Sequence, residues 1–399
     1  MRLFRFRVVR ALGTQIHERR SGRSPHGGLS GGGEWLVVVS GLIALTACAG
    51  NETPANARSS GTTTTVAAPS CAKPATCTTR QLADAAGVLF GTAVNLQHLD
   101  EPDYQKTLLE TFNSITPEND LKWAAIHPKP GVWNFGPVDD LVAFAEKHHL
   151  AVKGHNLLWD QAPPSTSTTP KWVLAIKDPQ QLRVVIRDHI ATLMGRYRGK
   201  IDRWDVVNEP LETLGSAVQK NHFWRVLGSD YIAEVFRIAH AADPRAKLFI
   251  NESTVEFMPA KAAALVALVK GLVARHVPIN GVGIQAHLVS GTVDAARLEQ
   301  LVGDLEALGV EVAITELDVP ATAAVGPLQV QARTYAQALG ACFVKRCREV
   351  TLWGFTDRYT WIDGAFKKGL APLPFDVNYR PKPALDAIRQ RLAAILPSN

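Results

Sequence analysis

The sequence predicts an α/β protein with the (β/α)8 architecture of a TIM barrel in one folded domain. From about residue 80, apolar runs rich in β-branched residues alternate with segments whose apolar residues recur every three or four positions. Eight such runs extend over about 315 residues, which suffices for a closed barrel with its outer helices. Eight strands with intervening helices indicate a closed barrel and not an open sheet. No second folded domain is expected after Leu396.

The eight apolar runs are predicted to be the barrel strands. They comprise residues 89–95, 114–118, 151–159, 203–209, 247–252, 281–287, 311–319 and 349–356. Helices are expected between them, most clearly over 182–197 and 298–308, where apolar side chains repeat at helical spacing. Because the carboxyl ends of barrel strands converge on one face, polar residues at those ends are candidates for chemistry.

Residues 1–47 are predicted to be a leader segment outside the fold. An arginine-rich front precedes the apolar run 35–45, which is too short to span a bilayer and has the length of a signal-peptide core. The run continues into Leu45-Thr46-Ala47-Cys48, which resembles the site where bacterial lipoproteins are cleaved and lipidated, here on Cys48. Ordinary secretion stays open, because Ala47-Cys48-Ala49 also fits a small-x-small cleavage site. Both routes place the protein outside the cytoplasm, as a cell-membrane lipoprotein or a secreted protein.

Residues 48–78 are predicted to be a tether and residues 79–397 the folded catalytic domain. The tether is rich in Thr, Ser and Pro and lacks apolar periodicity, so membrane contact is expected only through a lipid anchor. The leader holds seven Arg and two Glu, and therefore carries +5 of the formal net charge of +6. The nearly neutral remainder gives no indication of nucleic-acid binding, and we expect a monomer.

Four cysteines remain besides Cys48, in two close pairs. Four cysteines permit three pairings, but proximity favours Cys71 with Cys77 and Cys342 with Cys347. Export would permit these disulfides. The spacings fit no zinc site with nearby histidines, so no metal is predicted.

Two predicted strands end with a glutamate followed by a proline. In the segment 204–210, Pro210 must stop the strand because proline cannot donate to a ladder, which leaves Asn208 and Glu209 at its carboxyl end. Glu316 lies near the end of a second strand of the same design, four residues before a proline. Two carboxylates on different strands of one barrel suit glycoside hydrolysis by double displacement. For the stretch 204–210 alone, a glutamate in a structural salt bridge is an equally good interpretation, and the second stretch shifts the balance towards chemistry.

Asn208-Glu209-Pro210 and Ile314-Thr315-Glu316-Leu317-Asp318 resemble the acid/base and nucleophile motifs of the family 10 glycoside hydrolases, which are mostly endo-β-1,4-xylanases. The resemblance implies a retaining enzyme that cuts internal β-1,4-xylosidic bonds of xylan, with Glu209 as acid/base and Glu316 as nucleophile. It implies a xylan-like polysaccharide as partner and no cofactor. Burial and a neighbouring negative charge should raise the pKa of Glu209, so that it is protonated when substrate binds.

Further elements of this family's pattern occur in the family's order at the predicted strand ends. The resemblance implies substrate-binding roles for Glu118, Asn119, Lys122, His155, Trp159, Asn208, Gln285, His287, Trp353 and Trp361. The first three would hold hydroxyls on the glycone side, His287 would hydrogen-bond the nucleophile, and the last two indoles would lie beside the sugar. Taken singly, each histidine or tryptophan is as well explained as a core residue, and Lys122 as a solvated side chain near a helix start.

Two strand ends depart from that pattern. After Trp159 the sequence continues Asp160-Gln161-Ala162-Pro163-Pro164 into a loop over 165–170 that is richer in Ser and Thr. The fifth strand end reads Asn251-Glu252-Ser253-Thr254, where the family typically has Asn-Asp-Tyr-Asn. Both departures border the predicted cleft and leave open action on another β-glucan or an aryl glycoside. A non-catalytic surface sugar-binding lipoprotein is a further alternative, against which the retained pair of glutamates argues.

Overall fold

The computed structural model describes residues 71, 73–161, 168–321, 327–366 and 368–397. Its strands are β1 (Leu89–Val94), β2 (Ser114–Pro117), β3 (Ala151–Leu158), β4 (Arg203–Asn208), β5 (Lys247–Glu252), β6 (Gly281–Ile284), β7 (Glu311–Leu317) and β8 (Glu349–Leu352). They pair in parallel in chain order, and β8 closes on β1. The predicted (β/α)8 barrel is confirmed, with all eight strands in their predicted segments.

Several strands end earlier than predicted, on the side where the site residues lie. The backbone enters the left-handed region at Glu209, Ala286 and Gly354, with φ of 52°, 58° and 96°. Each of these residues follows a strand end, after β4, β6 and β8 respectively. A residue in this conformation cannot continue a ladder, so the predicted strands lose their last residues there.

The described part of the chain contains helices between consecutive strands and at both of its ends. They are α1 (Thr79–Ala85), α2 (Pro102–Thr111), α3 (Trp123–Ile126), α4 (Gly136–His148), α5 (Lys171–Leu174), α6 (Pro179–Arg196), α7 (His222–Leu227), α8 (Tyr231–Ala242), α9 (Pro259–Ala274), α10 (Ala295–Glu306), α11 (Leu328–Phe343), α12 (Ile362–Ala365) and α13 (Pro383–Ala393). Helices α6 and α10 each begin three residues before the predicted start. The side chains of Asp178 and Asp294 cap them by accepting from the backbone N–H groups of Gln181 and Arg297, at 2.7 and 3.2 Å.

A buried ion cluster and a tight ring contact lie within the strands. Lys153 on β3 places Nζ 3.3 Å from Asp205 Oδ1 and 3.5 Å from Glu349 Oε1, so its buried charge is compensated. The next residue, Gly154, lies against the indole of Trp204, and a Cβ at this position would come within 2.2 Å of the ring. Only glycine permits this approach of β3 to the side chain of β4, immediately before a predicted site residue.

Both disulfides form as predicted. Cys71 is bonded to Cys77 and Cys342 to Cys347, with Cα–Cα distances of 6.1 and 5.1 Å. The last residues of the predicted tether contact the barrel, because Arg389 donates to the carbonyl oxygen of Cys77 at 2.8 Å. The leader and Cys48 lie outside the described residues. Within the described ranges, no helix is both long and apolar enough to cross a membrane.

Candidate active site

The predicted site residues converge at the carboxyl ends of the barrel strands. Glu209 directly follows β4 and Glu316 lies on β7, and both side chains are largely buried. Strands β5 and β6 run between them and contribute Asn251 and Gln285. The negative charge of Glu316 acts on Glu209 and contributes to raising its pKa.

Glu209 is held in an environment that favours its protonated form. Gln285 Nε2 donates to its Oε1 at 3.0 Å, and Trp159 Nε1 donates to its Oε2 at 3.2 Å. Burial raises the pKa of Glu209, and the charge of Glu316 acts in the same direction, while the hydrogen bond from Gln285 only partly opposes them. Its backbone N–H donates to the carbonyl oxygen of Asn251 at 2.8 Å, which anchors the left-handed turn. The net effect raises the pKa of Glu209 above that of an ordinary glutamate.

Glu316 is held in an environment that favours its ionised form. Asn251 Nδ2 donates to its Oε1 at 2.7 Å, and His287 Nε2 lies 3.1 Å from its Oε2. Burial alone would raise the pKa of Glu316, but the hydrogen bond from His287 and the electrostatic interactions with His155 and His287 outweigh it and lower the pKa. The ionised form of Glu316 is therefore favoured, and the pKa values of the two glutamates are shifted in opposite directions.

The imidazole of His287 carries a positive charge beside Glu316, because the Asp318 carboxylate at the other ring nitrogen compensates that charge. Its Nδ1 lies 2.8 Å from Asp318 Oδ2, which also accepts from Trp361 Nε1 at 2.8 Å. Burial by itself lowers the pKa of His287, but Asp318 and Glu316 together raise it to about 10. The imidazolium therefore persists across neutral pH and keeps Glu316 ionised.

The charged His287 is expected to make stability fall as pH rises. Its pKa of about 10 in the folded protein exceeds the ordinary value of 6.5, so between these values the folded state binds more protons than the unfolded state. The stabilisation is fully present below pH 6.5 and is lost as pH rises through 10, with a slope of up to about 1.4 kcal/mol per pH unit. Urea unfolding between pH 6.5 and 10 should show this slope, weakened in His287→Gln. Parallel stability curves for the two proteins would contradict the assignment.

Asn251 on β5 is a functional residue that sequence reasoning missed. Its Nδ2 donates both to Asn208 Oδ1, at 2.8 Å, and to Glu316 Oε1, at 2.7 Å. Its Oδ1 accepts from Thr315 Oγ1 at 2.6 Å, so the amide is fixed in one orientation. Asn251 pairs in register with Asn208, and this strand-end position was the available signal. The amide links the ends of β4, β5 and β7.

Several buried polar atoms at the strand ends have no hydrogen-bond partner among the described residues. Asn208 Nδ2 and Gln285 Oε1 are two of them. The other amide atom of each side chain is already used, towards Asn251 and Glu209 respectively. A buried donor and a buried acceptor left unpaired are costly unless a ligand satisfies them, so both are suited to hold sugar hydroxyl groups.

The predicted glycone-side residues form a second part of the same cleft. Lys122 Nζ donates to Asn119 Oδ1 at 2.7 Å and lies 5.3 Å from the ring centroid of Trp159. Burial lowers the pKa of Lys122, while nearby carboxylates, Glu118 first among them, raise it. The charges of Glu209 and Glu316 also reach this amine. Lys122 therefore lies against Asn119 and Trp159, and its role on the glycone side stays a prediction.

The remaining predicted aromatic residues line the wall of the cleft. His155 Nδ1 lies 2.9 Å from Asp205 Oδ2, and its ring meets that of Trp353 edge-on, with centroids 5.2 Å apart. Trp353 and Trp361 are only 8% and 7% exposed. Little of either indole is open to a sugar, since they pack with Ala93 in a small apolar cluster, and their predicted position beside the sugar stays a prediction. A sugar can meet only a limited part of each indole.

Hydrogen bonds hold the segment after β3, where the sequence departs from the family pattern. The Asp160 carboxylate accepts from the backbone N–H of His222, the first residue of α7, at 2.7 Å. The hydroxyl groups of Thr168 and Thr169 donate to the carbonyl oxygen of Trp159, the latter at 2.8 Å. Residues 162–167 of this loop lie outside the described residues. In the described part of the chain, no three His, Cys, Asp or Glu side chains are grouped to hold a metal ion.

The sequence profile of glycosyl hydrolase family 10 matches residues 78–391. The chain belongs to glycosyl hydrolase family 10. Among the relatives of this family 10 member, endo-1,4-beta-xylanase C of Phanerodontia chrysosporium is 38% identical over 319 residues, which are 78% of this chain and 78% of the relative. Endo-1,4-beta-xylanase B of Thermotoga neapolitana is 33% identical over 318 residues, 78% of this chain and 90% of that protein. Xylanase 10B of Thermotoga petrophila, solved in complex with xylobiose, superposes with a TM-score of 0.74 at 32% identity, covering 80% of this chain and 98% of that one.

Family 10 membership agrees with the site geometry described above. The matched region contains every predicted residue of the catalytic pair and of the sugar contacts. Sequence reasoning assigned the family from motifs at strand ends. It missed two residues that hold the predicted site residues in place, namely Asn251, which donates to Glu316, and Asp205, which is hydrogen-bonded to His155.

Proposed function

We propose that the protein is an extracytoplasmic endo-1,4-β-xylanase that hydrolyses xylan by a retaining double displacement. The observation that carries this proposal is the pair of carboxyl groups in one cleft with pKa values driven in opposite directions, raised at Glu209 and lowered at Glu316. A neutral acid and an ionised nucleophile are the two states that the first step of the reaction requires.

In the first step, a Glu316 carboxylate oxygen attacks the anomeric carbon and the glycosidic C–O bond breaks. Glu209 transfers its proton to the departing oxygen, so that the leaving sugar departs as a neutral alcohol. Asn251 and His287 hold the attacking carboxylate by its two oxygens, which restricts its rotation. The products of this step are a glycosyl ester on Glu316 and a Glu209 carboxylate.

In the second step, the ionised Glu209 takes a proton from water, whose oxygen attacks the anomeric carbon and releases Glu316. Esterification has removed the negative charge of Glu316 that raises the pKa of Glu209. The pKa of Glu209 therefore falls once the ester forms, which suits it to act as a base. Two inversions at the anomeric carbon return the product with the original β configuration.

The substrate assignment draws on relatives and on the lining of the cleft. Curated relatives 33–39% identical to this chain are endo-1,4-beta-xylanases, and related structures have been solved with xylobiose and xylotriose. The unpaired Asn208 Nδ2 and Gln285 Oε1 are suited to hydroxyl groups at the cleavage point. Glu118, Asn119 and Lys122 supply further polar groups on the glycone side, where His155 and the indole of Trp159 contact the sugar. Xylan fits a site with many hydrogen-bonding groups and partly buried indoles.

The proposed location outside the cytoplasm combines the leader with the cysteines. Two disulfides suit an oxidising compartment. The leader over residues 1–47, with Cys48 as the lipidated residue or as part of an ordinary cleavage site, would supply export. Action as a monomer accompanies this proposal.

Release of reducing sugar from xylan and from a soluble β-glucan tests the substrate assignment. We expect the purified protein to degrade xylan with kcat/KM at least about tenfold above that for the glucan, because each glucose unit carries an exocyclic hydroxymethyl group that xylose lacks and one extra small group in a fitted pocket costs about tenfold or more. Turnover of the glucan alone would show that the altered ends of β3 and β5 have changed specificity. Binding of xylan without hydrolysis of either polymer would instead favour a sugar-binding lipoprotein.

A further inference from the structure

A fully buried ion pair lies behind the cleft and takes no part in the two chemical steps. Lys261 on α9 and Glu252 at the end of β5 both have side chains with 0% exposure, and Lys261 Nζ lies 2.8 Å from Glu252 Oε1. Burial of two charges is costly and is compensated only when geometry and additional hydrogen bonds are favourable.

Both partners reach the loop that follows β4. Glu252 Oε2 accepts from the backbone N–H of Leu211 at 2.9 Å. Lys261 Nζ donates to Thr254 Oγ1 at 3.1 Å, and this hydroxyl donates to the carbonyl oxygen of Thr213 at 3.1 Å. The ion pair thus holds the backbone two and four residues beyond Glu209.

The anchoring matters because Glu209 has an unfavourable backbone conformation. Its φ of 52° is one that residues other than glycine rarely adopt. The preceding side of the turn is held by the backbone N–H of Glu209, which donates to Asn251 at 2.8 Å. The following side is held by Leu211 and Thr213, through the ion pair. Strained residues at functional sites persist only where their surroundings determine them on all sides.

We propose that the Lys261–Glu252 ion pair positions Glu209. From behind the cleft, the ion pair fixes the turn that directs the Glu209 carboxyl group towards the leaving oxygen. The inference rests on the proposed function, since it assumes that Glu209 is the acid/base. Lys261 and Glu252 touch no substrate and act only through the turn and through their charges.

The charge of Lys261 gives a second, independent measure of the same role. Burial raises the pKa of Glu209, and the positive charge of Lys261 opposes that rise. The charged and titratable groups around the ion pair are Glu209 after β4, Tyr231 on α8, Glu256 after β5, His287 after β6 and Glu316 on β7. Loss of the Lys261 charge should therefore move the alkaline limb of the kcat/KM profile to higher pH.

The test compares substrates that differ in their need for an acid. Hydrolysis of xylan requires Glu209 to protonate the leaving group, whereas a dinitrophenyl β-xylobioside does not. We expect Lys261→Met to lower kcat/KM for xylan by about 100-fold and for the aryl glycoside by less than about fivefold. Thr254→Val is a nearly isosteric change that removes only the hydroxyl link. It should lower kcat/KM for xylan more than for the aryl glycoside, by smaller factors than Lys261→Met. Thr254→Ser keeps the hydroxyl group and should therefore retain xylan activity.

A second buried lysine provides the matched control. Lys382 Nζ lies 2.8 Å from Asp357 Oδ2 and does not contact the β4 loop. Lys382→Met should lower thermal stability without separating the two substrates or moving the alkaline limb. The positioning role would be overturned if Lys261→Met and Thr254→Val lost kcat/KM equally on both substrates. It would also be overturned if Lys382→Met lost much more kcat/KM on xylan than on the aryl glycoside. Wild-type inactivity towards both substrates would overturn the proposed function and this inference with it, so the two failures are distinguishable.

Discussion

Replacement of Glu316 by alanine is expected to lower kcat for xylan by on the order of 10⁴-fold or more, the loss typical of removing a covalent nucleophile. Without this carboxylate no glycosyl ester can form. Asn251 and His287 would then face an empty position with their donors unpaired. Reducing-sugar assays over long incubations would measure the loss, and thermal unfolding would establish that the variant is folded.

Glu306→Ala is the matched control for this loss. Glu306 on α10 is also largely buried, and it accepts from the backbone N–H of Arg346 at 2.8 Å, away from the cleft. Its removal should reduce stability and leave kcat within a factor of about two, because effects of residues remote from the reacting atoms are small. Residual activity in Glu316→Ala above a few per cent of wild type would contradict the assignment of the nucleophile.

Replacement of Glu209 by alanine should separate the two chemical steps. For xylan, loss of the general acid is expected to lower kcat/KM by about 10³-fold. For an aryl xylobioside with an acidic phenol, the glycosyl ester on Glu316 should still form, and its slow hydrolysis should appear as a burst of phenol release. Rapid-mixing absorbance measurements would detect the burst, which wild type should not show at the same rate.

Azide distinguishes retention from inversion in these two variants. In Glu209→Ala, azide should attack the glycosyl ester without base catalysis, restore turnover and yield a β-glycosyl azide. In Glu316→Ala, azide can only replace the missing carboxylate and should yield the α anomer. Product configuration is read by proton NMR, and an α product from Glu209→Ala would contradict the double displacement.

Much of the fold could be predicted because its signals are local. Strand β4 shows this: β-branched residues 206–207 and Pro210 predict a buried strand and its end from adjacent positions alone. The boundaries were less accurate at β6 and β8, where left-handed residues after the strand break the ladder. Such conformations at Glu209 and Ala286 depend on contacts with neighbouring strands, which local composition does not encode.

The supporting residues of the site could not be found in the same way. Asn251 lies 43 positions from Asn208 and 65 from Glu316 along the chain, yet it donates to both. Lys261 was not among the predicted site residues, although its side chain is wholly enclosed. Nothing in the adjacent sequence marks such a residue, since its role arises from which strand ends meet.

The sequence by itself determined the fold class, the order of the strands and the two glutamates, because strand periodicity, strand-ending prolines and motif order are properties of short segments. Only the tertiary structure decided the chemical states of those glutamates. Burial raises the pKa of Glu209, whereas partners brought together from β3, β5 and the end of β6 outweigh burial at Glu316 and lower its pKa. A pKa depends on distance and desolvation in space, so two carboxyl groups of identical chemistry acquire opposite roles only once the barrel has closed around them.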